Sequence, residues 1–133
     1  MANEAVIIEL FNGGRPMRFT VADGVGIEKG TLMELSADKT VIANTNDNAP
    51  IVGVAAEEKV ASDGQTSIGV YTDGIFDMLT DAGNDNRGVV MANSATENTL
   101  QTADAADLLQ GSFVGYLLEE KVGAVTVAVR VNK

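Results

Sequence analysis

The tetrapeptide Glu-Glu-Lys-Val occurs twice in this chain of 133 residues, at positions 57–60 and 119–122. The segments that lead into the two copies also match in kind and order, with 51–56 before the first and 113–118 before the second. A Gly-x-x-Met segment stands further upstream of each copy, at Gly30 and at Gly88. Matching segments in the same order predict a duplicated strand-turn-strand unit, which we expect at about residues 27–72 and 85–131.

Turn signals follow one another at short intervals from Val21 onward, among them Asp23-Gly24, Asp63-Gly64 and Asp73-Gly74. The segments between them are rich in Val, Ala, Leu and Ile, and the chain has 14 glycines but only two prolines. This composition suits short strands joined by tight turns. The pattern predicts an all-β fold over residues 21–133, either a sandwich or a small barrel. A chain of this length fits a single domain.

One short helix interrupts the β pattern in the second copy. Thr102 can cap a helix over Ala103 to Gln110, and Gly111 supplies the left-handed residue that ends it. The first copy has only the loop from Asn44 to Pro50 at the matching place. We therefore expect the second copy to resemble the first with a helix inserted between matching strands.

Residues 1–20 differ from the rest and read as an extended N-terminal arm. Their side chains are balanced in charge, whereas residues 21–133 carry the whole excess of the net charge of −10. The first strand of the arm is apolar on both faces, so it lies inside a sheet or something else covers it, such as another subunit. We expect the arm to bind a partner through Ile7, Phe11, Arg15, Pro16, Met17, Arg18 and Phe19.

A second apolar segment surrounds Phe76, one of only four phenylalanines. Its residues Ile75, Phe76 and Met78 fit two interpretations, plain core or a contact between subunits. The sequence does not separate the two.

The composition argues against several classes of function. A net charge of −10 repels phosphate backbones and provides no basic stripe, so no nucleic acid is expected as a partner. No apolar run reaches the roughly 18 residues that a membrane helix needs. The chain has no cysteine and no histidine, which removes the thiolate, the sulfur ligands of metals and the commonest catalytic base. We expect no enzyme activity, no catalytic residues, no cofactor and no metal.

Three polar patterns leave alternatives open. Asp73 and Asp77 flank an apolar tripeptide as a glycosidase acid pair would, but the chain has few aromatics to line a sugar cleft, and a turn and a strand end explain them. Glu-Glu-Lys either forms a binding motif displayed twice or, as we favour, a charged strand end retained in both copies. Two oxygen-rich clusters suit calcium, yet their spacing is that of ordinary β connections. The clusters are Asp81, Asn84, Asp85 and Asn86, and Asn44, Asn46, Asp47 and Asn48.

Five segments together resemble the capsid decoration, or cement, proteins of tailed bacteriophages. They are Gly30-Thr31-Leu32, the strand 51–55, the strand 66–70, Asp73-Gly74-Ile75-Phe76 and the closing pair Gly115-Tyr116. In that family a "kG-L" turn, an "iVGVA" strand and a "v-GIF" strand recur in this order, and the resemblance covers about residues 20–131.

The resemblance implies a small β-barrel or β-tulip-like protein of the virion. Such a protein binds the capsid exterior as a homotrimer and bridges neighbouring subunits of the major capsid protein after expansion. The N-terminal arm would lie on the capsid lattice. An alternative stays open, a tail or adhesin type of β module that binds a carbohydrate or a host protein.

Overall fold

A computed structural model describes residues 3–133. Strands account for 47% of the chain and helix for 6%, so the all-β class and the small-barrel architecture are confirmed. The strands of the described part are β1 (Val6–Leu10), β2 (Met17–Thr20), β3 (Leu32–Ala37), β4 (Thr40–Ala43), β5 (Ile51–Ala55), β6 (Ser67–Tyr71), β7 (Asp73–Thr80), β8 (Val90–Asn93), β9 (Thr99–Thr102), β10 (Phe113–Leu117) and β11 (Thr126–Asn132). The helix α1 spans Ala105–Gln110.

Ten of these strands form two barrels with the same connectivity. Strands β2 to β6 close in the order β2-β4-β3-β5-β6, with a parallel pairing between β2 and β4 and antiparallel pairings elsewhere. Strands β7 to β11 repeat this order, with the parallel pairing now between β7 and β9. The duplication that the sequence indicates is therefore a duplication of a five-stranded barrel.

The residue register is the same around both barrels. Gly53 pairs with Met33 in the first barrel, and Gly115 pairs with Met91 in the second. From this starting point, the pairings around each ring match residue by residue, so that Met17 of β2 corresponds to Phe76 of β7. Each repeat thus begins one strand earlier than the 27–72 and 85–131 bounds expected from the sequence, because β2 and β7 share little sequence.

A glycine is required where β5 passes β6 and where β10 passes β11. A Cβ on Gly53 would overlap the carbonyl oxygen of Tyr71 and lie 2.9 Å from its carbonyl carbon. A Cβ on Gly115 would overlap the carbonyl oxygen of Arg130 in the same way, at 2.7 Å from the carbonyl carbon. The Val-Gly pair in each copy is therefore a requirement of barrel closure, since only glycine permits this approach of two backbones.

Two apolar clusters hold the molecule together. The first fills the interior of the first barrel, with Met33, Val41 and Ile68 completely buried. The second fills the interior of the second barrel and includes side chains of the first barrel, among them Leu32 and Ile51. The two barrels therefore share a buried interface.

The helix begins two residues later than the sequence indicates. Its N-cap is Asp104, not Thr102: the Asp104 carboxylate accepts from the Asp107 amide at 3.0 Å, and the Asp107 carboxylate accepts from the Asp104 amide at 2.9 Å. This reciprocal capping box places the start at Ala105. The C-cap is Gly111 in the left-handed conformation, as expected. The helix stands between β9 and β10, where the first barrel has only its 44–50 loop.

The described part of residues 1–20 lies against both barrels. β1 pairs with β7 and is the outermost strand there, with Val6 61% and Ile8 50% exposed, so it does not lie inside a sheet. β2 belongs to the first barrel. These residues are therefore not an arm extended away from the body, because backbone pairing ties both strands to it.

The segment before β1 is held in place where it crosses Gly30. The Ala5 amide donates to the carbonyl oxygen of Gly30 at 2.8 Å. A Cβ on Gly30 would lie 2.6 Å from the Ala5 carbonyl oxygen, whereas a Cβ on the matching Gly88 would meet nothing within 4 Å. Both glycines have a positive φ, 92° and 89°. Position 30 therefore requires glycine for two reasons: its φ is positive, and the N-terminal segment passes too close to leave room for a Cβ.

Candidate functional site

The lysine of each Glu-Glu-Lys-Val copy is buried. Lys59 is 2% exposed, and its ammonium donates to the carbonyl oxygens of Asp23 at 2.6 Å and Val60 at 3.2 Å. It also donates to Oδ1 of Asp63 at 3.3 Å. A buried ammonium requires such partners because its desolvation is costly. Lys59 therefore links the turns that contain Asp23 and Asp63 at one end of the first barrel.

Lys121 does the same in the second barrel. It is 1% exposed and donates to the Asp81 carbonyl oxygen at 2.9 Å, to Asp81 Oδ1 at 3.2 Å and to the Gly83 carbonyl oxygen. Asp85 Oδ2 lies 3.8 Å from the same ammonium and accepts from the Thr102 hydroxyl at 2.8 Å. The lysine thus occupies the centre of the oxygen cluster at 81–86 that the sequence offers for calcium.

The first glutamate of each copy is also part of the structure. Glu57 Oε1 accepts from the Gly69 amide at 3.0 Å, and Glu119 Oε1 accepts from the Ala128 amide at 2.9 Å. Gly69 and Ala128 are matching positions of β6 and β11. The repeated motif is therefore retained as a set of matching internal contacts, which agrees better with a charged strand end than with a displayed binding motif.

The other oxygen cluster lies at the junction of the barrels. Buried Glu34 accepts from the side-chain amides of Asn44 and Asn46, and buried Asn93 of the second barrel donates to Asn44 Oδ1 at 3.2 Å. The glutamate oxygens thus face amide donors. This network joins β3 and the loop after β4 in one barrel to β8 of the other.

The two carboxylates of the proposed acid pair belong to one strand. Asp73 and Asp77 lie on the same face of β7, both half-buried. Asp73 forms an ion pair with Arg130, whose guanidinium lies 4.4 Å from the centre of the Phe11 ring. The Asp73 carboxylate is therefore engaged by the guanidinium of Arg130.

Two of the three residues considered for a subunit contact are core. Phe76 is 0% and Met78 1% exposed, both within the second apolar cluster, so neither is accessible to another copy. Ile75 is half-buried on the outer face of the sheet. The alternation in β7 explains this, because Asp73, Ile75 and Asp77 share the outer face while Phe76 and Met78 point inward.

The candidate arm residues divide into packed and exposed groups. Ile7 packs against the second apolar cluster, Phe19 against the first, and Phe11 lies against Arg130. These three contribute to the body itself.

Arg15, Pro16, Met17 and Arg18 are exposed and follow one another along the edge of the first barrel. Met17 is 54% exposed. Arg18 donates to Glu57 Oε1 and to Ser67 Oγ, both at 2.7 Å, which orients its side chain along β6. The structure thus groups four of the seven candidate residues at a single edge.

Helix α1 carries an exposed apolar surface that the sequence analysis missed. It buries the polar residue Asp107, whose carboxylate accepts from the Ser112 hydroxyl at 2.7 Å. It exposes Leu108 at 52% and Leu109 at 90%. The signal was present in the sequence, since a capping box that uses Asp107 turns the adjacent leucines outward.

An open groove of about 490 Å³ lies where the N-terminal segment passes the first barrel. Ala5, Val6, Gly30 and Val54 are among the residues that line it, so its walls are mostly apolar or backbone. Within residues 3–133, no group of three acidic residues stands close enough together to hold a metal ion. No helix in the same range has the length and apolar character to cross a membrane.

No protein-family model matches the chain, and no curated protein matches it.

Proposed function

We propose that this protein is a non-enzymatic structural component of a virion that binds the outer surface of a phage capsid. In this role it bridges neighbouring subunits of the major capsid protein, as a homotrimer on the capsid, and stabilises the head. The family resemblance described above motivates the proposal.

The observation that carries the proposal is the distribution of exposed apolar side chains on an acidic body. Val6, Ile8 and Met17 in the N-terminal segment and Leu108 and Leu109 in helix α1 are each at least half exposed. Large exposed apolar groups that occur together mark contact surfaces. Exposed apolar side chains on separate elements of one small body suit a protein that touches more than one neighbour.

The charge distribution supports the same role. Residues 21–133 carry the whole excess negative charge, while residues 1–20 are balanced. A strongly charged body keeps the free protein soluble, and a neutral segment approaches another protein without a large electrostatic penalty. Several weak contacts made at once give high overall affinity without any single strong one.

The test uses expanded capsids that lack the protein. Purified protein is added, unbound protein is removed by sedimentation, and the bound amount and the capsid melting temperature are measured. We expect saturable binding at a fixed ratio to the major capsid protein and a higher melting temperature.

A glycan array with the same preparation serves as the comparison, because a carbohydrate-binding module would give a signal there. Absence of capsid binding together with unchanged heat resistance would refute the proposal.

A further inference from the structure

We propose that the free edge of β2 in the first barrel accepts an extended, antiparallel strand from a partner protein, in the place that β1 takes on the second barrel. The two barrels match residue by residue, so one shows what covers the corresponding edge of the other.

The second barrel has a sixth strand. β7 pairs with β9 through Leu79 and Thr80 only, which leaves the edge before them open, and β1 lies along that edge over positions 74–77. Ile7 and Leu10 of β1 pack against the cluster that contains Phe76. Phe76, which pairs with Ile7, is 0% exposed.

The first barrel lacks this strand. β2 pairs with β4 through Thr20 alone, and among the described residues no strand pairs with the edge before it. Met17, which corresponds to the fully buried Phe76, is 54% exposed. Phe19, which corresponds to Met78 at 1%, is only half-buried. The same barrel position is thus covered in one repeat and open in the other.

Backbone groups at this edge are oriented for pairing. The Thr20 amide donates to the Lys39 carbonyl oxygen at 2.9 Å, on the side of β2 away from β6. Backbone groups alternate in direction along a strand, so the amide and carbonyl of Arg18 point to the same open side. The matching residue, Asp77, pairs there with Val6 of β1.

The chemistry of β1 indicates the chemistry of the occupant. It is an extended segment with apolar side chains that cover Met17 and Phe19, as Ile7 and Leu10 cover the second core. Arg15 at the end of the edge is exposed and basic, so an acidic residue of the occupant is favoured beside it. Addition of a strand to an exposed sheet edge is a general mode of peptide recognition.

This inference rests on the proposed function only for the identity of the donor, which would be a segment of the capsid protein. The vacant edge itself follows from the comparison of the two barrels. The two ideas can therefore fail separately.

The probe is a synthetic peptide with the sequence of residues 4–11, added to the isotope-labelled full chain and followed by backbone amide NMR. We expect saturable shifts at residues 16–20 and 67–70. Shifts confined to residues 6–10 or 74–77 would mean that the peptide exchanges with β1 or pairs with it, and this result or an absence of shifts would overturn the proposal.

A pair of variants makes the test specific. Met17→Asp places a charge where the occupant would bury an apolar group and should weaken peptide binding at least about tenfold. Val25→Asp makes the same kind of change at a loop position that is 44% exposed and should leave binding unchanged. Thermal melting of both variants confirms folding, and equal peptide affinity in the two would overturn the proposal.

Capsid binding distinguishes the two failures. If capsids retain Met17→Asp as well as the unsubstituted protein, the strand site is wrong and the decoration role stands. If the peptide binds at β2 but capsids never retain the protein, the strand site stands and the decoration role is wrong.

Discussion

Replacement of Lys59 by methionine should destabilise the protein strongly although it preserves most of the volume of the side chain. Methionine cannot donate to the carbonyl oxygens of Asp23 and Val60 or to the Asp63 carboxylate, which now accept from the ammonium at 2.6, 3.2 and 3.3 Å. The lysine side chain is 0% exposed, so water does not replace it without opening the turns.

The magnitude follows from these contacts. Removal of one partner of a buried charged pair costs about 3–5 kcal/mol, and each hydrogen bond to a charged group contributes about 1.5–3 kcal/mol. The Asp63 side chain remains 29% exposed and regains hydration, which lowers the expected loss to about 3 kcal/mol. That is a large part of the roughly 5–15 kcal/mol by which a domain is stable.

Urea unfolding of three variants tests this reasoning. Lys59→Met and Lys121→Met should each lower the free energy of unfolding by about 3 kcal/mol. The control Lys39→Met, at an exposed position, should stay within about 0.5 kcal/mol of the parent. If the free energy of unfolding falls by less than about 1 kcal/mol in both buried-lysine variants, the two lysines do not hold these turns together.

Three further outcomes are expected. Gly53→Ala should fail to fold or lose more than about 4 kcal/mol of the free energy of unfolding in urea. Gly64 has a φ of 85° and a Cβ there would meet nothing within 4 Å, so Gly64→Ala should lose only about 1–2 kcal/mol. Equal losses in the two variants would contradict the close approach of strands at Gly53. Gly30→Ala should speed hydrogen exchange across β1 and Gly88→Ala should not, because only the former contacts the N-terminal segment; the same exchange rates in both would contradict that contact. Burial lowers the pKa of Lys133 to about 8 from 10.5, so the unfolded chain binds more protons between these values and this group makes stability rise with pH there; Lys133→Met should remove that rise, and unfolding curves identical in their pH dependence would show that burial does not perturb the lysine.

The all-β class, the duplication and the inserted helix could be predicted because they depend on local signals. The Gly-x-x-Met segments, the Val-Gly pairs and the Glu-Glu-Lys-Val copies occupy matching positions in the two barrels. The first strand of each repeat, β2 or β7, could not be predicted from such local signals. β2 and β7 are related by pairing and burial, while their residues differ.

The sequence analysis did not establish the roles of two groups of residues, for different reasons. Lysine is normally exposed, so burial of Lys59 and Lys121 follows only from the turns that surround them. Phe76 and Met78 alternate with Asp73 and Asp77 along one strand, but only the closed barrel shows that their face is core. The open edge at Met17 depends on the comparison of two folded barrels and has no local signal.

A reconstruction of capsids bearing the bound protein, at a resolution that separates strands, would examine the decoration role and the strand site together. We expect density for an additional antiparallel strand beside β2, continuous with a neighbouring capsid subunit. Bound protein whose β2 edge faces solvent would contradict the strand site, and capsids that carry no density for the protein would contradict the decoration role.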